Sequence, residues 1–221
     1  MITVHHLNNS RSQRILWLLE ELGLEYDIQR YERDTKTMLA PDSLFKVHPL
    51  GKSPVITDGD RTIAESGAIV EYLVNHYDKG ELSPASEDEK LRYTYWLHYA
   101  EGSAMPPLLL KLVFDRLESK TPFFLQKVTK TITKQAKSGF INPQIALHLD
   151  YVNAELDKHP WFTGNHFTAA DIQMSFPLEE AAGSGEIDPK RPAIRDFLDR
   201  IHARPAYQKA LARGGEYDLS R

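Results

Sequence analysis

The chain has 221 residues, 41% hydrophobic and 26% charged, with a net charge of −4 and no cysteine. That is an ordinary globular composition with room for one large core or two smaller ones, and without a long basic run nucleic acid is not an expected partner. The missing cysteine excludes a disulfide framework, a Cys-x-x-Cys pair and a cysteine nucleophile. Any sulfur chemistry must use a thiol brought by a substrate.

The start, Met1-Ile2-Thr3-Val4-His5-His6, lacks the basic residues and apolar stretch of a signal peptide. No apolar segment approaches the ~18 residues of a membrane span. A cytoplasmic protein with no membrane partner is the expectation. Residues Ile2–Leu7 read as a strand, and Asn8-Asn9-Ser10 as a turn and helix cap. Ile15, Leu16, Leu19 and Leu22 recur at helical spacing until Gly23 stops them. Tyr26–Tyr31 is a second strand, and 43–48 a short helix that must end before Pro49. Val55-Ile56-Thr57 and Arg61-Thr62-Ile63 flank Asp58-Gly59-Asp60, a hairpin signal. A helix from 66 to about 76 closes the unit. The order βαβαββα predicts a four-stranded α/β domain over residues 1–78.

Residues 78–87, with Gly80, Pro84 and three acidic residues, have linker composition; the linker proper is read as 79–87. From 88 to 221 the pattern is helical throughout, so an all-α domain is expected. A helix over 88–117 is interrupted by Gly102 and by Pro106-Pro107, which should bend or break it. A second covers 122–138 and stops at Gly139. Asn142-Pro143 reads as a cap followed by proline at the first helical position, starting a helix to about 158. Helices over 169–182 and 192–202 follow, with a short one after Pro205.

Three local signals stand out. The Ser53-Pro54 amide has little trans preference, so a turn into the Val55-Ile56 strand can hold it cis and present the backbone of Ser53 like an unpaired strand edge. Glu65-Ser66-Gly67 opens the helix of Ile69, Val70 and Leu73, whose free N–H groups and positive dipole end suit a carboxylate. An edge beside an anion-binding helix start is a way to hold a small acidic peptide. In Phe167-Thr168-Ala169-Ala170-Asp171-Ile172, Thr168 caps a helix while Asp171 reaches back to it, with Phe167 and Ile172 placed as a hydrophobic staple. Asp171 is therefore read as a folding residue. His5 and His6 have no ligand partners at useful spacing, so no metal site is expected.

Through Ser10-Arg11-Ser12-Gln13-Arg14, Pro49-Leu50-Gly51-Lys52-Ser53-Pro54, Glu65-Ser66, Thr168-Ala169-Ala170-Asp171 and Arg204-Pro205-Ala206-Tyr207, the chain resembles a cytosolic glutathione transferase over essentially its whole length. It is most similar to the serine-type bacterial and fungal members. The resemblance implies a thioredoxin-like first domain that binds reduced glutathione as co-substrate, with no permanently bound cofactor. It implies a helical second domain with a pocket for a small apolar electrophile, and a homodimer. Glu65 and Ser66 match the pair that holds the γ-glutamyl end. Ser53, before the presumed cis Pro54, matches the residue whose backbone pairs with the cysteinyl unit, and Lys52 a polar position near the peptide's ends. Ser10 matches the position from which a hydroxyl points at the sulfur; Asn9 and Ser12 are its rivals. Arg14 reads as a structural ion-pairing residue. Glu101 is a candidate for reaching glutathione's amine across the dimer interface, with a solvated glutamate as the equal alternative. Met105, Leu109, Phe114 and Phe176 are candidates for the electrophile pocket, with core packing as the competing reading of each.

The chemistry suits that placement. A free thiol has a pKa near ~8.5, so only a few per cent is thiolate at neutral pH. Lowering it by about two units favours the anion by roughly 2.7 kcal/mol, the size of one charge-assisted hydrogen bond. Two functions fit. The first is conjugation of glutathione to apolar electrophiles, accompanied by glutathione-dependent peroxidase activity. The alternative is a non-catalytic interaction or assembly domain on the same fold.

Overall fold

The computed structural model describes residues 1–215 and 217–219; the helical domain's expected end at 221 takes in residues 216, 220 and 221, which lie outside the described residues. Strand β1 (Ile2–Leu7) is central, with β2 (Tyr26–Tyr31) parallel on one side and β3 (Val55–Asp58) antiparallel on the other. Strand β4 (Arg61–Ala64) pairs antiparallel with β3 across Gly59 (φ 56°), giving the order β2-β1-β3-β4. A parallel pair needs a crossover, and helix α1 (Ser12–Glu21) supplies it. Its Ile15, Leu16, Trp17, Leu18 and Leu19 are all buried, because the sheet covers one side of α1 and other helices cover the rest. The expected short helix is a tighter 3₁₀ segment, Asp42–Lys46, and α2 (Ser66–Tyr77) completes a thioredoxin-like unit.

The connection to the helical unit is packed. The Asp78 carboxylate accepts from the Glu81 and Leu82 N–H groups, Leu82 is buried, and its carbonyl accepts from the Ala169 N–H at 3.1 Å. The helices that follow are α3 (Glu87–Tyr99), α4 (Met105–Lys120), α5 (Gln126–Ala136), α6 (Asn142–Lys158), α7 (Ala169–Gly183), α8 (Pro192–His202) and α9 (Pro205–Gly214). A 3₁₀ turn, Phe123–Leu125, separates α4 from α5. Among the described residues no helix is long and apolar enough to cross a membrane.

At both expected interruptions the helix widens and does not end. Instead of breaking at Gly102 and Pro106-Pro107, the chain widens into a π-helical turn, Ala100–Ala104, and runs on into α4. Gly139 does not stop the next helix, and Asn142 does not cap a new one. A second π-helical turn, Lys137–Ile141, joins α5 to α6, and Ile141 ahead of Asn142 is already helical. Pro106, Pro107 and Pro143 cannot donate to the carbonyls four residues earlier. One wide turn before each proline site absorbs that loss without ending the helix.

Helix α7 is the axle of the molecule. Twelve of its fifteen residues are buried. Pro177 inside it leaves the Gln173 carbonyl without its helical N–H. Buried Arg14 of α1 claims that carbonyl through Nη1 at 2.6 Å, so the sheet unit and the helical unit share one hydrogen bond at the core. At the N-terminus of α7 the capping box is formed. Fully buried Asp171 accepts from the Thr168 N–H at 2.8 Å, the Thr168 hydroxyl at 3.2 Å and also the Phe162 N–H at 2.9 Å. Burial pushes that carboxyl up to about 7, against the pull of those donors. In the late motif, Arg204 grips Glu21 of α1 with two nitrogens (2.5 and 2.9 Å), and the Tyr207 hydroxyl donates to Glu179 of α7 at 2.6 Å.

Candidate active site

The Ser53–Pro54 peptide bond is cis, as the sequence predicts. Ser53 spends its side chain on β1: its hydroxyl donates to the His5 carbonyl (2.9 Å) and accepts from the Leu7 N–H (3.3 Å). That seats the turn against the end of β1. Next to it α2 begins at buried Ser66, whose hydroxyl makes no hydrogen bond to the described residues, after Glu65 in a left-handed conformation (φ 71°). Lys52, Ser53, Pro54, Glu65 and Ser66 line one cavity of about 240 Å³, together with Arg11 and Glu101. It is the polar half of the site.

A second cavity, of about 300 Å³, shares Arg11, Lys52 and Ser53 with the first and extends toward the helical unit. Asn9 and Ser10 form its floor; Met105, Leu109 and Leu112 of α4 and Phe176 of α7 form an apolar wall. The described non-glycine residues with positive φ are Asn9 (47°), Met38 (61°) and Glu65, and all three line one of these two cavities. Such backbone is costly and collects at functional sites.

Ser10, beside Arg11 in the second cavity, takes part in a cluster of hydrogen bonds. Its Oγ donates to the Leu7 carbonyl at 2.7 Å, lies 2.7 Å from Ser12 Oγ and accepts from the Ser12 N–H at 3.3 Å. Ser12 Oγ in turn meets His6 Nδ1 at 2.8 Å. Burial holds His6 down to about 4, and the Gly214 backbone also hydrogen-bonds its ring. Which of His6 Nδ1 and Ser12 Oγ donates follows the ring tautomer; with the proton on Nδ1, the ring donates to Ser12, Ser12 to Ser10 and Ser10 to the Leu7 carbonyl. Ser12 is fully buried behind Ser10 and lines neither cavity. Helix α1 starts at Ser12, preceded by Arg11, and Ser10 of the expected cap at Asn8-Asn9-Ser10 still accepts from the Ser12 N–H through its Oγ and from the Gln13 N–H (3.1 Å) through its carbonyl. Asn9 is also committed, its Oδ1 accepting from the Asp218 N–H at 2.9 Å.

Charge is concentrated at the junction. Glu101 pairs with Arg11 (Nε–Oε2 3.0 Å) and with Arg14, both of its own chain. Burial pushes the Glu101 carboxyl up, but the two guanidinium groups outweigh it and hold the pKa below the ordinary carboxylate value. Arg14 is lowered by burial, with Glu101 opposing. The guanidinium groups of Arg11 and Arg14 also lie 5.2 and 5.6 Å from the centre of the Phe176 ring.

Of the four electrophile-pocket candidates, Met105, Leu109 and Phe176 line the second cavity and Phe114 does not. Phe114 packs, partly buried, against the core. The reason is angular: at 100° per residue, Phe114 is half a turn round α4 from Met105, whereas Leu109, Leu112 and Arg116 follow Met105 on one face. Residues not anticipated are Arg11, Arg116, Met38 and Arg33, which line the second cavity, and His48 in the first. Arg116 was available from α4's spacing. Met38 and Arg33 lie in a segment with no periodicity, where Arg33 grips the Asn8 and Met38 carbonyls (3.2 and 3.1 Å), and only the fold brings them to the site.

Comparison with known proteins agrees with this architecture. Residues 1–75 match the glutathione S-transferase N-terminal domain family, and residues 116–213 the C-terminal domain family. Glutathione S-transferase 3 of Schizosaccharomyces pombe is 41% identical over 93% of this chain and 85% of its own length. Glutathione S-transferase 1 of Saccharomyces cerevisiae is 34% identical over 98% of each. A crystal structure of a glutathione S-transferase from Actinobacillus pleuropneumoniae superposes with a TM-score of 0.79 at 35% identity, covering 100% of this chain and 96% of that one. The chain belongs to the glutathione S-transferase family and is an enzyme of that family.

Proposed function

We propose that the protein conjugates the thiolate of reduced glutathione to small apolar electrophiles. The observation that carries this reading is a polar cavity at the start of α2 that shares Arg11, Lys52 and Ser53 with an apolar-walled cavity on α4 and α7, which Ser10 also lines. The γ-glutamyl end of glutathione would lie against Glu65 and Ser66, its carboxylate on the free N–H groups and dipole of α2. Its cysteinyl unit would pair with the backbone of Ser53 beside Pro54, with Lys52 toward the glycyl end. The sulfur then faces Ser10, and the electrophile lies on Met105, Leu109 and Phe176.

Ser10 turns its O–H from the Leu7 carbonyl to the sulfur and stabilises the thiolate. The Ser12 N–H continues to donate to Ser10 Oγ, which polarises the Ser10 O–H and strengthens it as a donor. A stabilised thiolate attacks the electrophilic carbon directly, so no general base is needed. The second activity we assign is attack of the same thiolate on the distal oxygen of an organic hydroperoxide: the O–O bond breaks, the alkoxide leaves and takes a proton to become the alcohol, and the glutathione sulfenic acid formed reacts with a second glutathione to give the disulfide and water. This reading includes the division into 1–78, the linker 79–87 and 88–221, a cytoplasmic role in detoxification, and a homodimer. The exposed apolar side chains Leu91 and Tyr95 on α3 and Leu147 and Tyr151 on α6 support the dimer. Glu101 lines the polar cavity of its own chain and stays the candidate for a contact with glutathione's amine across that dimer.

The test is the thiolate absorbance of the glutathione complex, titrated against pH, beside conjugation of an aryl halide. Ser10→Ala should return the thiol pKa toward its free value and slow conjugation by one to two orders of magnitude, roughly 1.4–2.7 kcal/mol. An unshifted titration in the wild type, or a shift untouched in Ser10→Ala, Asn9→Ala and Ser12→Ala alike, overturns the mechanism.

A further inference from the structure

At the tip of the α4–α5 hairpin, Phe123 and Phe124 are 84% and 68% exposed, their rings edge to face at 5.7 Å. The apolar surface continues along α5. At 100° per residue, Val128 and Ile132, each 59% exposed, follow Phe124 on one stripe, while buried Thr133 faces α4. Lys127, Lys130 and Lys134 occupy the adjoining stripe. An exposed apolar band of this kind marks an interaction surface.

The charge identifies the occupant. Residues 111–137 hold seven lysines and arginines against two carboxylates, in a chain whose net charge is −4. Both carboxylates are spent inside the hairpin: Asp115 on Lys111 and Lys137 (2.9 Å each), Glu118 on Lys137 (2.7 Å) and the Thr133 hydroxyl. Among the described residues no carboxylate pairs with Lys120, Lys127, Lys130 or Lys134. A second copy on this face would set the same lysines against each other, since a two-fold contact repeats one patch on both sides. Aromatic side chains at the tip and an apolar stripe edged with ammonium groups match a helix lying in a lipid headgroup layer. Its rings enter the acyl boundary and its lysines meet anionic headgroups.

We infer that the α4–α5 hairpin docks the protein on an anionic phospholipid surface. This is a contact within one leaflet, which needs no spanning helix. It revises the expectation of no membrane partner, which rested on the lack of a span.

Co-sedimentation of the full chain with vesicles tests the inference, using phosphatidylcholine alone and phosphatidylcholine mixed with phosphatidylserine. Binding is expected to the mixed vesicles only, weakening as salt rises. Replacing Lys127, Lys130 and Lys134 together by glutamine should lower the affinity about a hundredfold, at about fivefold per lysine. Phe123→Ser with Phe124→Ser should abolish sedimentation at intermediate salt. Both variants should keep the wild-type thermal midpoint and the wild-type rate on a soluble aryl halide. Failure of the wild type to bind mixed vesicles overturns the inference, as does equal binding to pure phosphatidylcholine. Unchanged binding in both variants does so too. A change in the sedimentation coefficient of the variants without lipid would make the face a protein–protein contact instead.

Discussion

Replacing Asp171 by alanine should cost about 2–4 kcal/mol of stability. The capping box alone, as read from the sequence, is worth about 1–2 kcal/mol. The structure adds a second dependent group, because Asp171 Oδ1 also takes the Phe162 N–H, nine residues earlier. Phe162 and Thr168 are both buried, so alanine leaves two backbone N–H groups without an acceptor, at about 1–3 kcal/mol each. Two terms lower that sum: the buried carboxylate no longer has to be desolvated, and alanine is the better helix former by a few tenths of a kcal/mol. The Thr168 hydroxyl keeps a neighbour in Thr163 Oγ1 at 3.4 Å and is not counted. Asp171→Asn retains one acceptor oxygen and should lose about half as much. Urea unfolding followed by tryptophan fluorescence reads the change, since Trp161 adjoins Phe162. The midpoint should fall with an unchanged slope. A loss below about 0.5 kcal/mol, the range of ordinary surface substitutions, would refute the reasoning. So would a fully stable variant that no longer turns over.

Three other perturbations follow from the site. Ser66→Ala should raise the glutathione dissociation constant about tenfold, roughly 1.4 kcal/mol, through loss of a hydrogen bond to a carboxylate; wild-type affinity by calorimetric titration would remove Ser66 from the site. Glu101→Gln should destabilise the protein by about 2 kcal/mol at neutral pH, because it leaves buried Arg14 short of its counter-charge. Since the Glu101 pKa is held low in the fold, that difference should be complete above about pH 4.5 and vanish on acidification, and thermal melts showing a pH-independent gap would contradict the ion pair. His6 is held down to about 4 against an unfolded 6.5, so its contribution is whole above pH 6.5 and is lost as pH falls through 4, by about 3 kcal/mol. His6→Asn should flatten the stability profile across that window, and an unaltered slope would place the titration elsewhere.

Features whose causes lie within a few residues were legible from the sequence. The strands Ile2–Leu7 and Tyr26–Tyr31 follow from alternation and turn residues, and helix Pro192–His202 from a proline start and an apolar repeat. The capping box and the cis Ser53–Pro54 bond are likewise local. Phe114 was legible too, since a count of 100° per residue separates it from Met105. The π-helical turns were not: a missing proline N–H can end a helix or widen it, and packing around Ala100–Ala104 and Lys137–Ile141 makes the choice.

Residue chemistry and spacing determined that this chain forms a thioredoxin-like sheet unit followed by helices, and marked Ser10, Ser53 and Ser66 as candidates. Tertiary structure alone decided what each hydroxyl can do. Ser53 is plugged into β1, Ser66 opens on a cavity, and Ser12 is sealed behind Ser10. It alone joined Arg14 to the Gln173 carbonyl, 159 residues away and left open by Pro177. The physical reason is range. Hydrogen-bond periodicity and turn chemistry act over about four residues, whereas the partner of a buried polar group is whatever the packed chain brings within about 3 Å.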